Sequence, residues 1–290
     1  MEVDEHVRAR PSPALRPYVA FYSGYRQRGL PAGVHRGLPS PWLTLILTID
    51  EPLVVAAHPD RRQAPGSYDA LIGGLHLRPA LIAMGGAQSG VQVAVHPLGC
   101  AALFGLPAAE LVNIDTDLAA VAGDAVVAEL RERLQLASSW PARFAALDEM
   151  LVRRLRQRPG HSGPGNSGPA HPDVAYAFAR LVETGGTVAV AELAGEIGWS
   201  ARHLTDRFRA EVGLRPKEAA RVARFDRARR RLRPGTRLAD IAAQTGYFDQ
   251  AHLAREFHAL AGCPPSRWLA DEFGFVQAGD PADDDDRGHE

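Results

Sequence analysis

The C-terminal third of the chain repeats itself, and this repeat constrains the fold more than any other feature of the sequence. Val190-Ala191-Glu192-Leu193-Ala194 is matched 48 positions later by Leu238-Ala239-Asp240-Ile241-Ala242, and Gly198-Trp199 by Gly246-Tyr247. One inserted residue, Phe248, lengthens the offset to 49. Ser200, His203, Leu204, Phe208, Gly213 and Pro216 then align with Asp249, His252, Leu253, Phe257, Gly262 and Pro265. Order and chemistry both recur, so each copy reads as one structural unit.

Each unit reads as a short helix, a glycine turn and a second helix opened by an oxygen-bearing cap. Ser200 and Asp249 can accept from the free amides of a first helical turn, and Gly198 and Gly246 tolerate the positive φ of a tight interhelical turn. This is the pattern of a helix-turn-helix. Leu204 with Phe208, and Leu253 with Phe257, lie four residues apart on one face and are predicted to pack on the preceding helix. At ~100° per residue, the side away from Leu204 and Phe208 carries Arg202, Asp206 and Arg209, flanked by Thr205 and His203. In the second copy that side carries Ala251, Arg255 and His258, flanked by His252, with Gln250 near the helix start.

These residue types suit the reading of base edges. Arg binds guanine O6 and N7 bidentately, Gln binds adenine, an Ala methyl touches thymine, and a capped helix start suits phosphate. A single Arg-bearing helix face is usually just solvated, but two such units at a fixed distance are hard to explain as incidental surface. The joining segment, 216–232, begins with Pro where the missing amide does no harm and spans roughly 25 Å as a helix. Two recognition helices so joined can enter neighbouring major-groove segments, about 34 Å apart, from one side of a duplex. Along this connector Val222, Phe225, Ala228 and Leu232 form the expected buried stripe. Arg221, Arg224, Arg227 and Arg231 form another, expected to face water or, in part, phosphate.

Residues 172–273 resemble the AraC/XylS family of transcription regulators, whose DNA-binding part is two helix-turn-helix units joined by a long helix. The likeness rests on Gly198-Trp199-Ser200-Ala201-Arg202-His203-Leu204, on the stretch from Gly246-Tyr247-Phe248-Asp249-Gln250 through Phe257, and on Gly262-Cys263-Pro264-Pro265. The resemblance implies base contacts by Arg202, Thr205 and Asp206 and by Gln250, Ala251, His252 and Arg255; Arg209 joins them from its place on the outward face. Asp206 stands where many relatives carry Arg; it can accept from cytosine N4 or pair with Arg202 or Arg209 on its own helix. The N-terminal part resembles the sensor domains of such regulators at Leu15-Arg16-Pro17-Tyr18-Val19 and from Pro97-Leu98-Gly99-Cys100 to Gly105. That implies effector sensing or dimerisation. Implied partners are double-stranded promoter DNA, RNA polymerase, a small-molecule effector and a second copy of the chain in a homodimer.

The predicted fold class is α+β: a mostly-β, sensor-like N-terminal domain with following helices, and an all-α C-terminal domain of two helix-turn-helix units joined by a long helix. The expected divisions are 1–157 for the first, a Gly/Pro/Ser linker at 158–171, 172–275 for the DNA-binding part, and an acidic, disordered tail at 276–290. At 290 residues each domain is expected to have its own core. Short β-prone runs at 43–49, 53–56, 70–77 and 91–95 precede helical spacings at 124–136 and 141–155, where Val127, Leu130, Leu134, Phe144, Leu147, Leu151 and Leu155 form apolar faces.

Charge, cysteines and histidines limit the remaining function classes. The near-zero net charge hides 16 Lys and Arg against 13 Asp and Glu in residues 172–273, while the last segment carries Asp280, Asp283, Asp284, Asp285, Asp286 and Glu290 against Arg287. Lys217 is the one lysine, an Arg bias that coding composition explains as well as phosphate contact does. No apolar run approaches the ~18 residues of a membrane span and the N-terminus lacks a signal-peptide pattern, so no membrane partner is expected and the location is cytoplasmic. Two alternatives stand beside the regulator. One is a DNA-targeted enzyme, for repair or metal-dependent, using Cys100 or His35, His58, His76 and His96; the other is an effector-independent architectural DNA-binding protein. The histidines lack metal-ligand spacing and Cys100 sits in an apolar stretch that raises a thiol pKa, so the reading is non-enzymatic, with no cofactor and no metal.

Overall fold

The computed structural model describes residues 3–29, 31–157 and 170–272. The expected linker, apart from Ala170 and His171, and the acidic tail lie outside the described residues.

The N-terminal half is two antiparallel sheets built from β1 (Val3–Ala9), β2 (Val19–Arg28), β3 (Gly33–Gly37), β4 (Leu43–Thr48), β5 (Leu53–Ala57), β6 (Gly66–Tyr68), β7 (Ala70–Gly73), β8 (Ala80–Met84), β9 (Ala87–Val95) and β10 (Asp115–Asp117). One sheet runs β1-β2-β9-β4-β7-β10 and the other β3-β8-β5-β6. The four expected runs are strands β4, β5, β7 and β9; β7 stops at Gly73, short of the expected 77, and β9 begins earlier, at Ala87. Period-two alternation sorts the layers. Leu43, Leu45 and Leu47 of β4 and Val91, Val93 and Val95 of β9 join the main core, while Thr44, Ile46, Gln92 and Ala94 line a space between the sheets.

Helices α1 (Cys100–Phe104), α2 (Leu118–Ala122), α3 (Asp124–Leu136) and α4 (Trp140–Gln157) follow. The apolar faces expected on α3 and α4 are buried at Val127, Leu130, Leu134, Phe144, Leu147 and Leu151, with Leu155 half-buried. Tyr22 of β2 stacks on Phe144 at 5.8 Å and donates its hydroxyl proton to Asp148 at 2.7 Å, which fixes α4 on the sheet.

The C-terminal part is all-helical: α5 (Pro172–Glu183), α6 (Val190–Glu196), α7 (Ala201–Val212), α8 (Pro216–Arg231), α9 (Leu238–Gln244), α10 (Gln250–Ala261) and α11 (Pro265–Glu272). Thus α6 with α7, and α9 with α10, are the two repeats, and α8 joins them.

The expectation of a separate core for each domain needs correction. The first helix-turn-helix shares one continuous apolar cluster with the sheet domain: Val174, Phe178, Leu193, Leu204 and Phe208 belong to the same cluster as Leu43 and Val93. Trp42 meets Phe178 edge to face at 5.9 Å, and α7 packs on the short turns Pro97–Gly99 and Ala108–Leu111. Only the second unit has its own cluster, around Phe225, Leu253, Phe257 and Trp268; Leu38 and Leu77 of the sheet domain lean on it. Arg36 adds an ion pair to Asp271 of α11 at 2.9 Å. The physical reason is area: α5 to α7 are too few to enclose Phe178 and Phe208 alone, and each such ring is worth roughly 1.5–3 kcal/mol when buried.

Candidate nucleic-acid interface

The cap chemistry expected at both recognition helices is present. Ser200 Oγ accepts from the backbone N–H of His203 at 3.1 Å, and Asp249 Oδ1 accepts from that of His252 at 2.6 Å. Gly198 and Gly246 take φ of +71° and +77°, the left-handed turn that a side chain disfavours. Leu204, Phe208, Leu253 and Phe257 are fully buried, so each recognition helix is seated by the i, i+4 pair and its opposite face is turned outward.

On α7, Arg202, Asp206 and Arg209 are exposed and Thr205 is half-buried, its hydroxyl donating to the Ala201 carbonyl at 2.8 Å. On α10, Gln250, Ala251 and Arg255 are exposed. Among the described residues, the side chains of Arg202, Asp206, Arg209, Gln250 and Arg255 make no ion pair or hydrogen bond, so Asp206 does not pair with either arginine of its helix. His252 differs. It is half-buried, its ring stands edge-on to Tyr247 at 5.2 Å, and its Nδ1 accepts from the Phe248 N–H at 3.4 Å, bracing the turn.

The arginine stripe of α8 corrects the expectation that it faces water or phosphate. Arg221 grips Glu256 of α10 with two hydrogen bonds, at 2.8 and 3.0 Å. Arg224 donates to the Gly186 carbonyl and lies over the Tyr247 ring, and Arg227 donates to the Thr184 carbonyl at 3.2 Å. The side of α8 they occupy meets the α5–α6 turn and α10, so three cations hold the two units together. Arg231 alone of the four is exposed, donating to the Arg227 carbonyl.

Comparison with known proteins agrees with this geometry. Residues 193–271 match a family described as a helix-turn-helix domain, HTH_18. The chain belongs to the AraC/XylS family of transcription regulators. Residues 7–117 match a second family, described as a domain of unknown function, DUF6597. The uncharacterized HTH-type transcriptional regulator YbfI of Bacillus subtilis is 35% identical over 66 residues, which span 23% of this chain and 24% of YbfI. Among solved structures, ToxT of Vibrio cholerae O395 aligns over 89% of this chain and 98% of its own with 12% identity and a TM-score of 0.49. Apo ToxT from strain SCE256 aligns over 86% and 96% with 10% identity and a TM-score of 0.50, a likeness of fold.

Beyond the helix pair, this AraC/XylS chain holds a second feature that sequence reasoning missed. A cavity of about 290 Å³ lies between the sheets and the C-terminal helices. Phe21, Ile46, Val55 and Ile82 give it apolar walls; His35, Arg36, Asp226, Arg229 and Arg230 give it a polar side, and Trp268 of α11 lines it too. Buried Asp226 accepts from Arg229 at 3.0 Å and Arg230 at 2.8 Å. Burial raises its pKa, but the two guanidinium charges outweigh that and hold the carboxyl below the usual carboxylate range. The spacing of Asp226 to Arg229 and Arg230, three and four residues, was a signal of this cluster that the sequence carried.

The four histidines are scattered. His35 and His76 line the cavity, and His96 packs edge-on against Trp42 at 4.6 Å. His58 is fully buried, its Nδ1 2.8 Å from Asp115 Oδ2 and its Nε2 3.3 Å from the Tyr68 hydroxyl. Among the described residues no cluster of His, Cys, Asp and Glu is placed to hold a metal ion, and no helix is long and apolar enough to cross a membrane. Cys100 is buried, and its thiol is pushed up to about 12, mainly by desolvation and secondarily by Glu110.

Proposed function

We propose that this chain regulates transcription by binding a specific promoter site in duplex DNA, with α7 and α10 reading neighbouring major-groove segments. Arg202, Thr205, Asp206 and Arg209 are the contact residues of the first helix, and Gln250, Ala251 and Arg255 those of the second, with His252 at the start of α10 beside them. The observation that carries this reading is that both capped helices turn toward solvent a face of polar side chains, most of them without partners in the protein. Groups of that kind gain most from meeting base edges and phosphate.

The N-terminal domain, on this reading, senses a small-molecule effector in the cavity it shares with α8 and α11. A ligand there touches Asp226, Arg229 or Arg230 on the helix that joins the two units, so occupancy biases how they are presented. The setting is the cytoplasm, with RNA polymerase as the downstream partner. Each chain already holds two recognition helices, so two-groove contact does not require a homodimer.

Selection of bound fragments from genomic DNA by the purified full chain, followed by footprinting, tests the proposal. A short protected site with two segments one helical turn apart is expected, and uniform retention of all fragments would refute specific regulation. Arg255→Ala should weaken binding by ~1–3 kcal/mol and relax preference at one base pair if Arg255 reads a base edge. Unchanged affinity and preference would remove it from the interface.

A further inference from the structure

The inserted residue that breaks the register of the repeat is also the most exposed large apolar side chain among the described residues. Phe248 is 93% exposed. In the first unit the turn is Gly198-Trp199-Ser200, and in the second Gly246-Tyr247-Phe248-Asp249. The aromatic after the glycine points inward in both: Trp199 packs on His203 at 4.4 Å and Tyr247 is buried beside His252 and Arg224. The turn is therefore already anchored without Phe248. The cap is likewise complete without it, because Asp249 supplies the acceptor. The side chain of Phe248 has no work inside the protein, yet it stands directly before the start of α10, at the same end of the helix as exposed Gln250 and Ala251.

We propose that Phe248 is a specificity-determining residue of the second helix-turn-helix, making apolar contact with the C5-methyl group of a thymine at the edge of the major-groove segment that α10 enters. This rests on the DNA-binding reading above. Side chains that read thymine do so by apolar contact with that methyl, which protrudes into the major groove and is absent from uracil. An exposed phenyl ring one residue before a groove-entering helix has both the chemistry and the position. The first unit, one residue shorter at this turn, has no counterpart, so the readout belongs to one end of the site.

The test is a cycle of two changes on the full chain and its selected fragment: Phe248→Ala in the protein, and uracil in place of thymine across the segment protected by α10. Wild-type protein is expected to bind the uracil fragment about fivefold more weakly than the thymine one, and F248A to bind the thymine fragment weakly by a similar factor. F248A should then bind both fragments alike, with its thermal midpoint unchanged because the ring is solvent-exposed. Equal affinity of F248A and wild type for the thymine fragment, or an undiminished uracil effect in F248A, overturns the inference alone. If F248A keeps full DNA affinity but loses control of transcription by RNA polymerase, the ring meets a protein and the inference also fails. A wild-type chain that retains no fragment overturns the DNA-binding reading itself.

Discussion

Whether the sheet domain grips the first recognition helix in solution can be decided with two alanines placed in glycine positions of the same helical unit. Gly198 and Gly213 both hold positive φ, +71° and +95°. A Cβ at Gly198 would meet nothing within 4 Å, so Gly198→Ala bears only the left-handed backbone penalty, roughly 1–2 kcal/mol. A Cβ at Gly213 would run into the Val112 side chain and lie 2.9 Å from the Ala109 Cα, both in the sheet domain. Gly213→Ala therefore adds an overpacking cost of roughly 1–3 kcal/mol to a similar backbone penalty. Urea unfolding of the two variants should separate their stabilities by at least about 1 kcal/mol. Because a Val112 methyl is the nearest obstacle, Val112→Ala in the Gly213→Ala background should recover part of the loss, a non-additivity of about 1 kcal/mol. Equal stabilities for the two single variants, together with strict additivity of the pair, would refute the packing of the end of α7 on residues 109–112.

Two further outcomes follow from buried titratable groups. His96 is held below its ordinary value of 6.5 mainly by desolvation, so the native state binds fewer protons than the unfolded chain. Its share of the stability is complete above about pH 6.5 and is lost as pH falls toward the lower folded value. Urea midpoints at pH 7.5 and 5.5 should therefore fall further apart in wild type than in His96→Phe, and equal drops would exclude His96. Cys100 and Cys263 are both buried, so neither should react with a thiol reagent within minutes at pH 8 in the native state, and both should in denaturant. Rapid labelling of Cys100 would restore a thiol-chemistry reading.

What could be read without coordinates divides along the range of the interactions. The recognition units were legible because their signals are local: the cap at Ser200 lies three residues from the amide it satisfies, and Leu204 to Phe208 is one helical turn. Strand β2 was not named, because Gly24, Arg26, Gln27 and Arg28 break any apolar alternation, and its order comes from pairing with β1 and with β9, about 70 residues away. The His58–Asp115 contact spans 57 positions and had no local trace. The α8 arginines were misread for the same reason, since their acceptors at Thr184, Gly186 and Glu256 belong to other elements. Residue type said cation; only packing said what the cation touches.

The same packing sets a requirement on any effector. Moving a two-state equilibrium between bound and unbound presentations of the helix pair from 1:99 to 99:1 takes roughly 5.5 kcal/mol of differential affinity, equivalent to the burial of about seven methylene groups in one state but not the other. A ligand enclosed wholly between the sheets would contact Phe21, Ile46 and Val55 equally in both presentations and shift nothing. The discriminating contacts are those on α8 and α11, namely Asp226, Arg229, Arg230 and Trp268, because these elements carry the helix-turn-helix units. An effector for this chain must therefore pair an apolar body for the sheet side with polar groups that exchange for, or add to, the Asp226–Arg229–Arg230 cluster. Asp226→Asn should alter the response of DNA binding to such a ligand more than Ile82→Val, which trims only the sheet-side wall. If isothermal titration showed ligand affinity falling in Ile82→Val while the coupling to DNA was lost there and kept in Asp226→Asn, the joining helix would not be the element that transmits occupancy.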